Sequence, residues 1–332
     1  MRPCILTVIA LSLVQVAWAE DLDYVKTEDA ITIKHDKAVV TTFHFGKDVA
    51  KPYLWPLNTP EGVGVTRDWP MKKGTTGETT DHVHQKSAWF CHGDVIPEGI
   101  ELKIKSADKH VKGVDFWSEA GGHGTIVCVK AGDPEQVNGS LVMDFQHEWK
   151  TADGVVILKD TRSITITALK HGYLLTFDIE LHASECPIAF GDTKEGSFGV
   201  RVPDAVVTAK SDGGVVTSSD GTTAGPNRKG TLPMWGQPAD WHDYSDKTAG
   251  LAIFDHPKNP HRANWHTRDY GLMAANPFGR NDSGFPAQKC KTELVKLKKD
   301  EHLKLKYAVY VHDGDAKAAE VANVFKQYSE GK

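Results

Sequence analysis

Residues 140–149 read S-L-V-M-D-F-Q-H-E-W, and this alternation of apolar and polar side chains decides the predicted fold. Alternate residues of a β-strand share a face, so a period of two is typical of a strand that buries one side. Similar signals recur along most of the chain and predict many strands. Alternating or β-branched runs occur at residues 30–33, 38–45, 124–129, 155–158, 163–168, 173–181, 205–209, 250–254 and 303–311.

The connections between these runs carry turn residues, such as the Asp-Gly pairs at residues 153–154 and 220–221. Only residues 315–328 predict a helix, and Asp315 is its expected N-cap. Many strands and almost no helix indicate a sandwich or a closed β architecture. We therefore predict an all-β fold with one short C-terminal helix.

The first 19 residues, MRPCILTVIALSLVQVAWA, have the features of a signal peptide. Arg2 supplies the positive start, residues 5–16 the apolar run, and residues 17–19 a small-x-small cleavage pattern. An N-terminal membrane anchor is the alternative, although the run is short for a span. We expect residues 1–19 to be removed and residues 20–332 to form a single β-sandwich domain. The predicted location is periplasmic or extracellular, with no further membrane span.

Charge and cysteine content limit the partners and the chemistry. The 39 Lys and Arg against 44 Asp and Glu give a formal net charge of −5, which argues against a nucleic-acid partner. The absence of C-x-x-C spacing argues against a structural zinc site. Export permits disulfides, and sequence leaves open either three pairings or four free thiols. The four cysteines beyond residue 19 are Cys91, Cys128, Cys186 and Cys290.

The densest group of histidines lies in residues 81–94, D-H-V-H-Q-K-S-A-W-F-C-H-G-D. If this segment is a strand, His82 and His84 project the same way, and His92 can join them across a turn. Clustered imidazoles are costly to bury without partners, so we expect them to line a cleft. They can act as general acids and bases. No cofactor is predicted, but a transition metal bound by these three histidines stays open.

A second candidate is Glu195 in the segment G-D-T-K-E-G at residues 191–196. The glycines let the backbone turn, so Asp192 and Glu195 can point into a cavity. A desolvated carboxylate there could accept a proton from a sugar hydroxyl or from a carbon next to a carbonyl. Lys194 or Arg201 could then stabilise the oxyanion. The alternative is a turn with a salt bridge between Glu195 and Lys194.

A third candidate is the segment W-H-T-R-D-Y at residues 265–270. On a strand, His266 and Arg268 share a face, and Arg268 can present several donors to a carboxylate or to vicinal hydroxyls. Tryptophans concentrate in the same polar stretches, where flat aromatic faces suit the C–H face of a sugar ring. The alternatives are that the tryptophans pack in the core and that the arginine links loops.

Several blocks of the sequence resemble a known family. They are P-Y-L-x-P-L, D-H-x-H-Q-x-S, H-G-D-V, D-F-W, G-D-T-K-E-G-x-F-G-x-R and W-H-x-R-D-Y-G-L-x-A-A-N-P-F-G, which are similar to signature blocks of the bacterial "methane oxygenase PmoA-like" domain family. The chain departs from that pattern at Lys86 and at Ala88-Trp89. The true methane monooxygenase subunit is an integral membrane protein, so we set methane oxidation aside. The resemblance implies a β-supersandwich similar to the galactose-mutarotase-like fold, which commonly hosts sugar epimerases, lyases and carbohydrate-binding enzymes.

The leading hypothesis is an exported carbohydrate-active enzyme that performs epimerisation, elimination or hydrolysis on a sugar or modified glycoside. Its ligand would be a small molecule or an oligosaccharide. A non-catalytic carbohydrate-binding protein is one alternative, and a metal-dependent oxidoreductase or lyase centred on His82 and His84 is another. The expected catalytic residues are His82, His84, Glu195 and His266; the expected substrate-binding residues are Arg67, Trp89, His92, Asp94, Asp192, Lys194, Arg201, Trp265, Arg268 and Asp269.

Overall fold

The computed structural model describes residues 22–207, 210 and 213–331. The predicted signal peptide at residues 1–19 therefore lies outside the described residues. The strands of the first half are β1 (Asp23–Lys26), β2 (Ala30–His35), β3 (Ala38–His44), β4 (Tyr53–Leu57), β5 (Ala88–His92), β6 (Val95–Pro97), β7 (Thr125–Ala131), β8 (Glu135–Val137), β9 (Ser140–Lys150) and β10 (Val156–Leu169). Those that follow are β11 (Gly172–His182), β12 (Ile188–Phe190), β13 (Gly196–Arg201), β14 (Val215–Ser218), β15 (Thr223–Ala224), β16 (Trp241–Ser245), β17 (Ala249–Asp255), β18 (Asn264–Trp265), β19 (Leu272–Asn276), β20 (Val295–Leu297) and β21 (His302–Asp313).

These strands form two large antiparallel sheets and one small one. An eight-stranded sheet has the order β1-β2-β3-β4-β5-β13-β19-β18. A ten-stranded sheet has the order β15-β14-β16-β17-β21-β11-β10-β9-β7, with β8 paired to β9. A three-stranded sheet, β20-β12-β6, completes the described strands.

The two large sheets pack face to face. Phe43 of β3 lies 4.5 Å from Phe145 of β9, and Phe177 of β11 lies 4.7 Å from Phe198 of β13, measured between ring centroids. Along β9, buried residues alternate with partly or fully exposed ones, as the period of two predicts. The predicted all-β supersandwich is confirmed, because the apolar faces of both sheets share one core.

The C-terminal helix is also confirmed, but it starts later than predicted. Helix α1 spans Val321–Glu330. Asp315 does accept backbone bonds from Lys317 and Ala318, but these close a turn instead of a helix. Glu320 has a φ of 54°, and this left-handed conformation separates the turn from α1. No helix in the part of the chain described here is long and apolar enough to cross a membrane.

Three further expectations are corrected or decided. Residues 81–87 form a loop in which His82 and Ser87 have positive φ values, so the predicted strand begins only at β5. The predicted strand at residues 205–209 is wrong as far as it is described, because Asp204–Val206 is a 3₁₀-helix. A second 3₁₀-helix spans Pro286–Gln288. The sequence left open whether the cysteines pair in disulfides. In the structure all four are free: Cys91, Cys128, Cys186 and Cys290.

A buried charged cluster links β9 to β10 inside the sandwich. Arg162 donates two bonds of 2.9 Å to the Asp160 carboxylate, which also binds His147 at 2.8 Å and Trp149 at 2.6 Å. Burial alone raises the pKa of Asp160, but the charge of Arg162 and the contact with His147 hold it below its ordinary value. The cluster is stable only when it is complete, because each remaining charge would otherwise be buried unpaired.

We expect Asp160→Asn to lower the free energy of unfolding by about 3 kcal/mol or more at pH 7, because it leaves the Arg162 charge uncompensated. Urea denaturation measures this, with Asp144→Asn on the exposed face of β9 as the control. A carboxylate with a lowered pKa stabilises above its unfolded pKa of about 3.9 and loses that contribution as the pH falls. The difference from wild type should therefore narrow below about pH 4, and an equal difference at pH 3 and pH 7 would contradict this account.

Candidate functional site

The pairing of β5 with β13 builds the candidate site. Gly196 lies opposite His92 in this antiparallel register, and residues from the loop before β5 and from the loop before β13 both line a cleft of about 590 Å³. One wall comes from residues 81–87 and another from residues 191–195. The cleft is lined by His82, His84, Gln85, Gly93, Asp94, Asp108, Lys109, His110, Val111, Lys112, Asp115, Trp117, Ser118, Asp192, Thr193, Lys194, Glu195, Tyr270, Asp282 and Ser283.

Glu195 is the acid in the cleft whose electrostatics stand out. About 35% of its side chain is accessible, and Lys194 Nζ lies 3.9 Å from its carboxylate. Desolvation by the surrounding walls raises the pKa of Glu195 to about 7; the charge of Lys194 opposes this rise and that of Asp115 adds to it. The alternative, a salt bridge between Glu195 and Lys194, is present as a long contact of 3.9 Å. Glu195 can therefore exchange a proton near neutral pH.

His82 and His84 both line the cleft, although they lie on a loop and not on a strand. Their rings meet edge to face at 5.7 Å between centroids. His82 Nδ1 lies 2.9 Å from the Asp81 carboxylate. Burial and the charge of Lys51 lower the pKa of His84 to about 3, so His84 is neutral at pH 7. His82 therefore has a carboxylate partner, whereas His84 is a neutral imidazole at pH 7.

His266 supports the site from behind instead of lining it. Its side chain is 1% exposed, and burial lowers its pKa to about 3. Its Nδ1 lies 2.8 Å from the Lys194 carbonyl and 4.0 Å from the Glu195 carboxylate. His266 is close to Glu195 but does not reach the cleft. Its predicted catalytic role is not supported by this geometry.

The predicted substrate-binding arginines hold loops together. Arg67 is fully buried and binds the Asp81 carboxylate together with the carbonyls of Asp81 and His82. Arg201 is 1% exposed and donates to Gln85 and, at 3.1 Å, to the same Asp81 carboxylate. These contacts fix the loop that carries His82. The expectation that Arg67 and Arg201 orient substrate is therefore wrong for the described geometry.

Arg268 and Asp269 also lie outside the lining of the cleft. The Arg268 guanidinium sits 5.3 Å from the ring centroids of Trp235 and Tyr270. Asp269 accepts a bond of 2.6 Å from the backbone of Gly230. Arg268 lowers the pKa of Glu195 by its charge, whereas Asp269 organises a surface turn. Neither residue has the predicted direct contact with the cleft.

Asp94 and Asp192 lie in the wall, but their carboxylates are occupied. Asp94 accepts bonds from the amides of Lys112 and Gly113 at 3.1 and 2.6 Å. Asp192 accepts three amide bonds from residues 280–283, at 2.5 to 2.9 Å. Each carboxylate stabilises a loop that forms part of the cleft. They shape the cleft, and little of their acceptor capacity remains for a ligand.

The two tryptophans predicted to stack on a sugar belong to the core. Trp89 is 2% exposed and packs edge to face against Trp117 at 5.0 Å. Trp265 is fully buried, stacks on His242 and donates to the Ala239 carbonyl at 3.0 Å. Sequence reasoning gave these residues the wrong role. Their alternative role, packing in the core, is the correct one.

Besides the buried Trp117, the cleft is lined by the ring of Tyr270, which the sequence analysis passed over. It stacks on His82 at 5.3 Å with 9° between the rings, and Arg201 lies 4.7 Å from its centroid. Tyr270 closes the quoted block W-H-T-R-D-Y, so proximity to that block was an available signal. Lys109, His110 and Lys112 were also missed; they form an exposed rim of the cleft.

The metal site proposed for His82, His84 and His92 does not form. His92 Nε2 donates to the Gly191 carbonyl at 2.9 Å, and its Nδ1 lies 3.4 Å from the Ser197 hydroxyl. Within residues 22–207, 210 and 213–331, no group of three or more His, Cys, Asp or Glu side chains could hold a metal ion. His92 is a buried structural residue, and its predicted contact with substrate is wrong.

A larger groove of about 700 Å³ crosses the outer face of the ten-stranded sheet. Its charged side chains pair across strands, as Asp178 does with Lys306 and Glu180 with Lys304. Glu195, whose pKa is raised, lies in the other cleft. We therefore place the candidate site at the smaller cleft.

One family model matches most of the chain. A family described as "Family of unknown function (DUF6807)" matches residues 30–326. The chain belongs to this family. The match does not give a PmoA-like domain, so the PmoA-like resemblance stays a prediction. No curated protein matches the chain.

Several solved structures are similar to this member of the family, at low identity. Galactose 1-epimerase from Lactobacillus acidophilus NCFM is 10% identical with a TM-score of 0.41, over 89% of this chain and 99% of that one. A galactose mutarotase-like protein from Lactobacillus casei ATCC 334 is 10% identical with a TM-score of 0.39, over 88% and 100%. A polysaccharide lyase is 12% identical with a TM-score of 0.33, and the match covers 89% of this chain and 33% of the lyase. Because these TM-scores are low, the assignment of the fold rests on the sheets described above and not on these similarities.

The raised pKa of Glu195 predicts a pH-dependent effect on stability. The folded protein keeps the Glu195 proton up to about pH 7, whereas the unfolded chain releases it near 4.5. This contribution is present below pH 4.5 and is lost as the pH rises through 7. Glu195→Gln cannot ionise, so its Tm relative to wild type should rise by roughly 2 °C or more between pH 5 and pH 8.5. Thermal denaturation measures this against Glu135→Gln on exposed β8; an unchanged difference would contradict the desolvation of Glu195.

Proposed function

We propose that the protein is an exported carbohydrate-active enzyme in which Glu195 transfers a proton on a sugar or a modified glycoside. The observation that carries this proposal is a carboxyl group with a pKa of about 7 facing an open cleft. A general base works best when its pKa lies near the working pH. Strongly shifted pKa values of groups that face a cleft cluster at functional sites.

The groups around Glu195 suit the two ends of a proton transfer. Lys194 lies close enough to stabilise negative charge that develops on a substrate oxygen. His82, paired with Asp81, can supply a proton as imidazolium. His84 is neutral at pH 7, so we assign it to hydrogen bonding with a hydroxyl instead of proton donation. Base and acid would then stand on different walls of one cleft.

The other carboxylates of the cleft favour some reactions over others. Glycoside hydrolysis generally uses two carboxyl groups, one as acid and one as base or nucleophile. Asp94, Asp115 and Asp192 each accept two or more hydrogen bonds from backbone amides, whereas Asp108 and Asp282 also line the cleft and lie on its exposed rim. Epimerisation and elimination can proceed with one carboxylate base and one proton donor, so we propose them ahead of hydrolysis.

A sugar ligand is supported by the shape and the lining of the cleft. A volume of about 590 Å³ is in the range of small-ligand sites, and most of the lining side chains are polar. Tyr270 adds one aromatic ring to these donors and acceptors. Export is proposed on the apolar run of residues 1–19.

We expect Glu195→Gln to reduce turnover by roughly a hundredfold or more, because it removes the base and keeps the shape of the side chain. Binding should change little. A panel of native and oxidised glycosides, with turnover and binding measured separately, provides the assay, and Glu135→Gln is the control. Near-normal turnover of Glu195→Gln would remove it from the catalytic residues, and saturable binding by a wild-type protein that shows no turnover would favour a binding protein.

The pH profile provides a second test. Since the ionised form of Glu195 would be the base, kcat/KM should rise about tenfold per pH unit up to about pH 7. A rise that ends near pH 4.5 would indicate a carboxylate with an ordinary pKa. A profile that is flat between pH 5 and pH 8 would show that Glu195 does not ionise in the rate-limiting step.

A further inference from the structure

The backbone of residues 191–195, here called the Glu195 loop, is held at almost every carbonyl. His92 binds the Gly191 carbonyl at 2.9 Å, and the amide of Gly93 donates to the Glu195 carbonyl at 2.7 Å. The side chains that bind the middle of the loop come from the β18–β19 region. A loop fixed in this way has few conformations available to its side chains.

Asn276, at the end of β19, makes four hydrogen bonds while fully buried. Its Nδ2 donates to the carbonyls of Thr193 and Lys194 at 2.9 and 3.1 Å. Its Oδ1 accepts from the amides of Phe278 and Gly279, both at 2.9 Å. One amide side chain therefore joins the Glu195 loop to the turn that follows β19.

His266 binds the same Lys194 carbonyl from the other side. A carbonyl can only accept, so Nδ1 of His266 carries the proton of this 2.8 Å bond. Its Nε2 is buried without a hydrogen-bond partner among the described residues. The ring packs edge to face against Trp235 at 4.9 Å, which fixes its orientation. Neither nitrogen is available to a ligand in the cleft.

We infer that Asn276 and His266 form a carbonyl clamp that positions the Glu195 carboxyl group in the cleft. The clamp consists of their three hydrogen bonds to the carbonyls of Thr193 and Lys194. The inference rests on the proposed function of Glu195. It makes Asn276 and His266 positioning residues, which act through the backbone and do not touch the substrate.

The clamp has a physical reason to matter for proton transfer. A displacement of about 1 Å in a reacting group can reduce the rate on the order of a hundredfold. A loosened loop would also let water reach Glu195, so its pKa would fall from about 7 toward 4.5. Position and proton affinity of Glu195 should therefore change together when the clamp is broken.

Two kinds of variant separate the clamp from the rest of the structure. Asn276→Ala removes the donor to the two carbonyls without adding a charge that would itself raise the pKa of Glu195. His266→Ala removes a donor, whereas His266→Asn can restore one, since an Asn amide nitrogen can occupy the place of Nδ1. His242→Ala is the matched control, because His242 is equally buried and stacks on Trp265 without contacting the Glu195 loop.

The experiment records the Glu195 carboxyl signal by ¹³C NMR as a function of pH, together with kcat and KM on whichever glycoside of the panel is turned over. We expect Asn276→Ala and His266→Ala to lower the midpoint from about 7 toward 4.5 and to reduce kcat tenfold to a hundredfold. KM should change by less than about twofold. His266→Asn should stay near wild type, and His242→Ala should keep both midpoint and kcat.

Several results would overturn the inference. A His266→Asn variant as impaired as His266→Ala, with an unchanged Glu195 midpoint, would show that the imidazole itself takes part in the reaction. Failure of both clamp variants to fold, while His242→Ala folds, would show a purely structural role. A wild-type midpoint near 4.5 would contradict the proposed function first, whereas a midpoint near 7 that neither clamp variant changes would contradict only the clamp.

Discussion

The site depends on the close approach of Gly93 to Glu195 at the end of the β5–β13 pair. The Gly93 amide donates to the Glu195 carbonyl at 2.7 Å, which continues the pairing one step past Gly196 and His92. A Cβ atom on Gly93 would lie 2.8 Å from both the Cβ and the carbonyl oxygen of Glu195. Only glycine allows the loop to close against the strand. That contact holds the Glu195 loop against the end of β5, while Arg67 and Arg201 hold the loop of His82 on another wall of the cleft.

The electrostatics of the cleft follow from this placement. Most acids of the wall satisfy backbone amides, so they define loops and do not compete for a substrate. Among the described residues, none donates a backbone amide bond to the Glu195 carboxyl group, and desolvation outweighs the opposing charges of Lys194 and Arg268. A desolvated carboxyl group destabilises the fold once it ionises, which is the kind of local conflict expected at a functional site. The acids Asp94, Asp115 and Asp192 thus shape the cleft by accepting amide hydrogen bonds, and they surround the desolvated carboxyl group of Glu195.

Sequence predicted the sheets well because a period of two is a local signal that tertiary structure preserves. It also singled out Glu195 as a candidate, because the glycines near it let the backbone turn and the carboxylate point into a cavity. The structure places Glu195 in the lining of the cleft. Sequence could not give orientation. Trp89 and Trp265 lie in polar blocks yet point into the core, since the direction of a side chain depends on register and not on the polarity of its neighbours.

The roles of the clamp residues Asn276 and His266 could not be predicted from the sequence either. Asn276 precedes a proline, and an Asn-Pro pair is a turn signal that could have marked the end of β19. Nothing in the sequence shows that its amide reaches back some 80 residues along the chain, as the bonds to Thr193 and Lys194 do. His266 was assigned to catalysis because histidines often are, but burial decides its role. Long-range contacts of buried polar groups require the fold before they can be assigned.

The central claim is that Glu195 moves a proton on a bound sugar. Proton NMR of a sugar panel in D₂O with the purified protein tests it directly, because anomeric interconversion, exchange of a carbon-bound hydrogen and formation of an unsaturated product each have separate signals. We predict that the wild-type protein accelerates one of these processes for at least one sugar that it binds and that Glu195→Gln does not. Saturable binding of a sugar with no acceleration of any of the three by the wild-type protein would contradict the account.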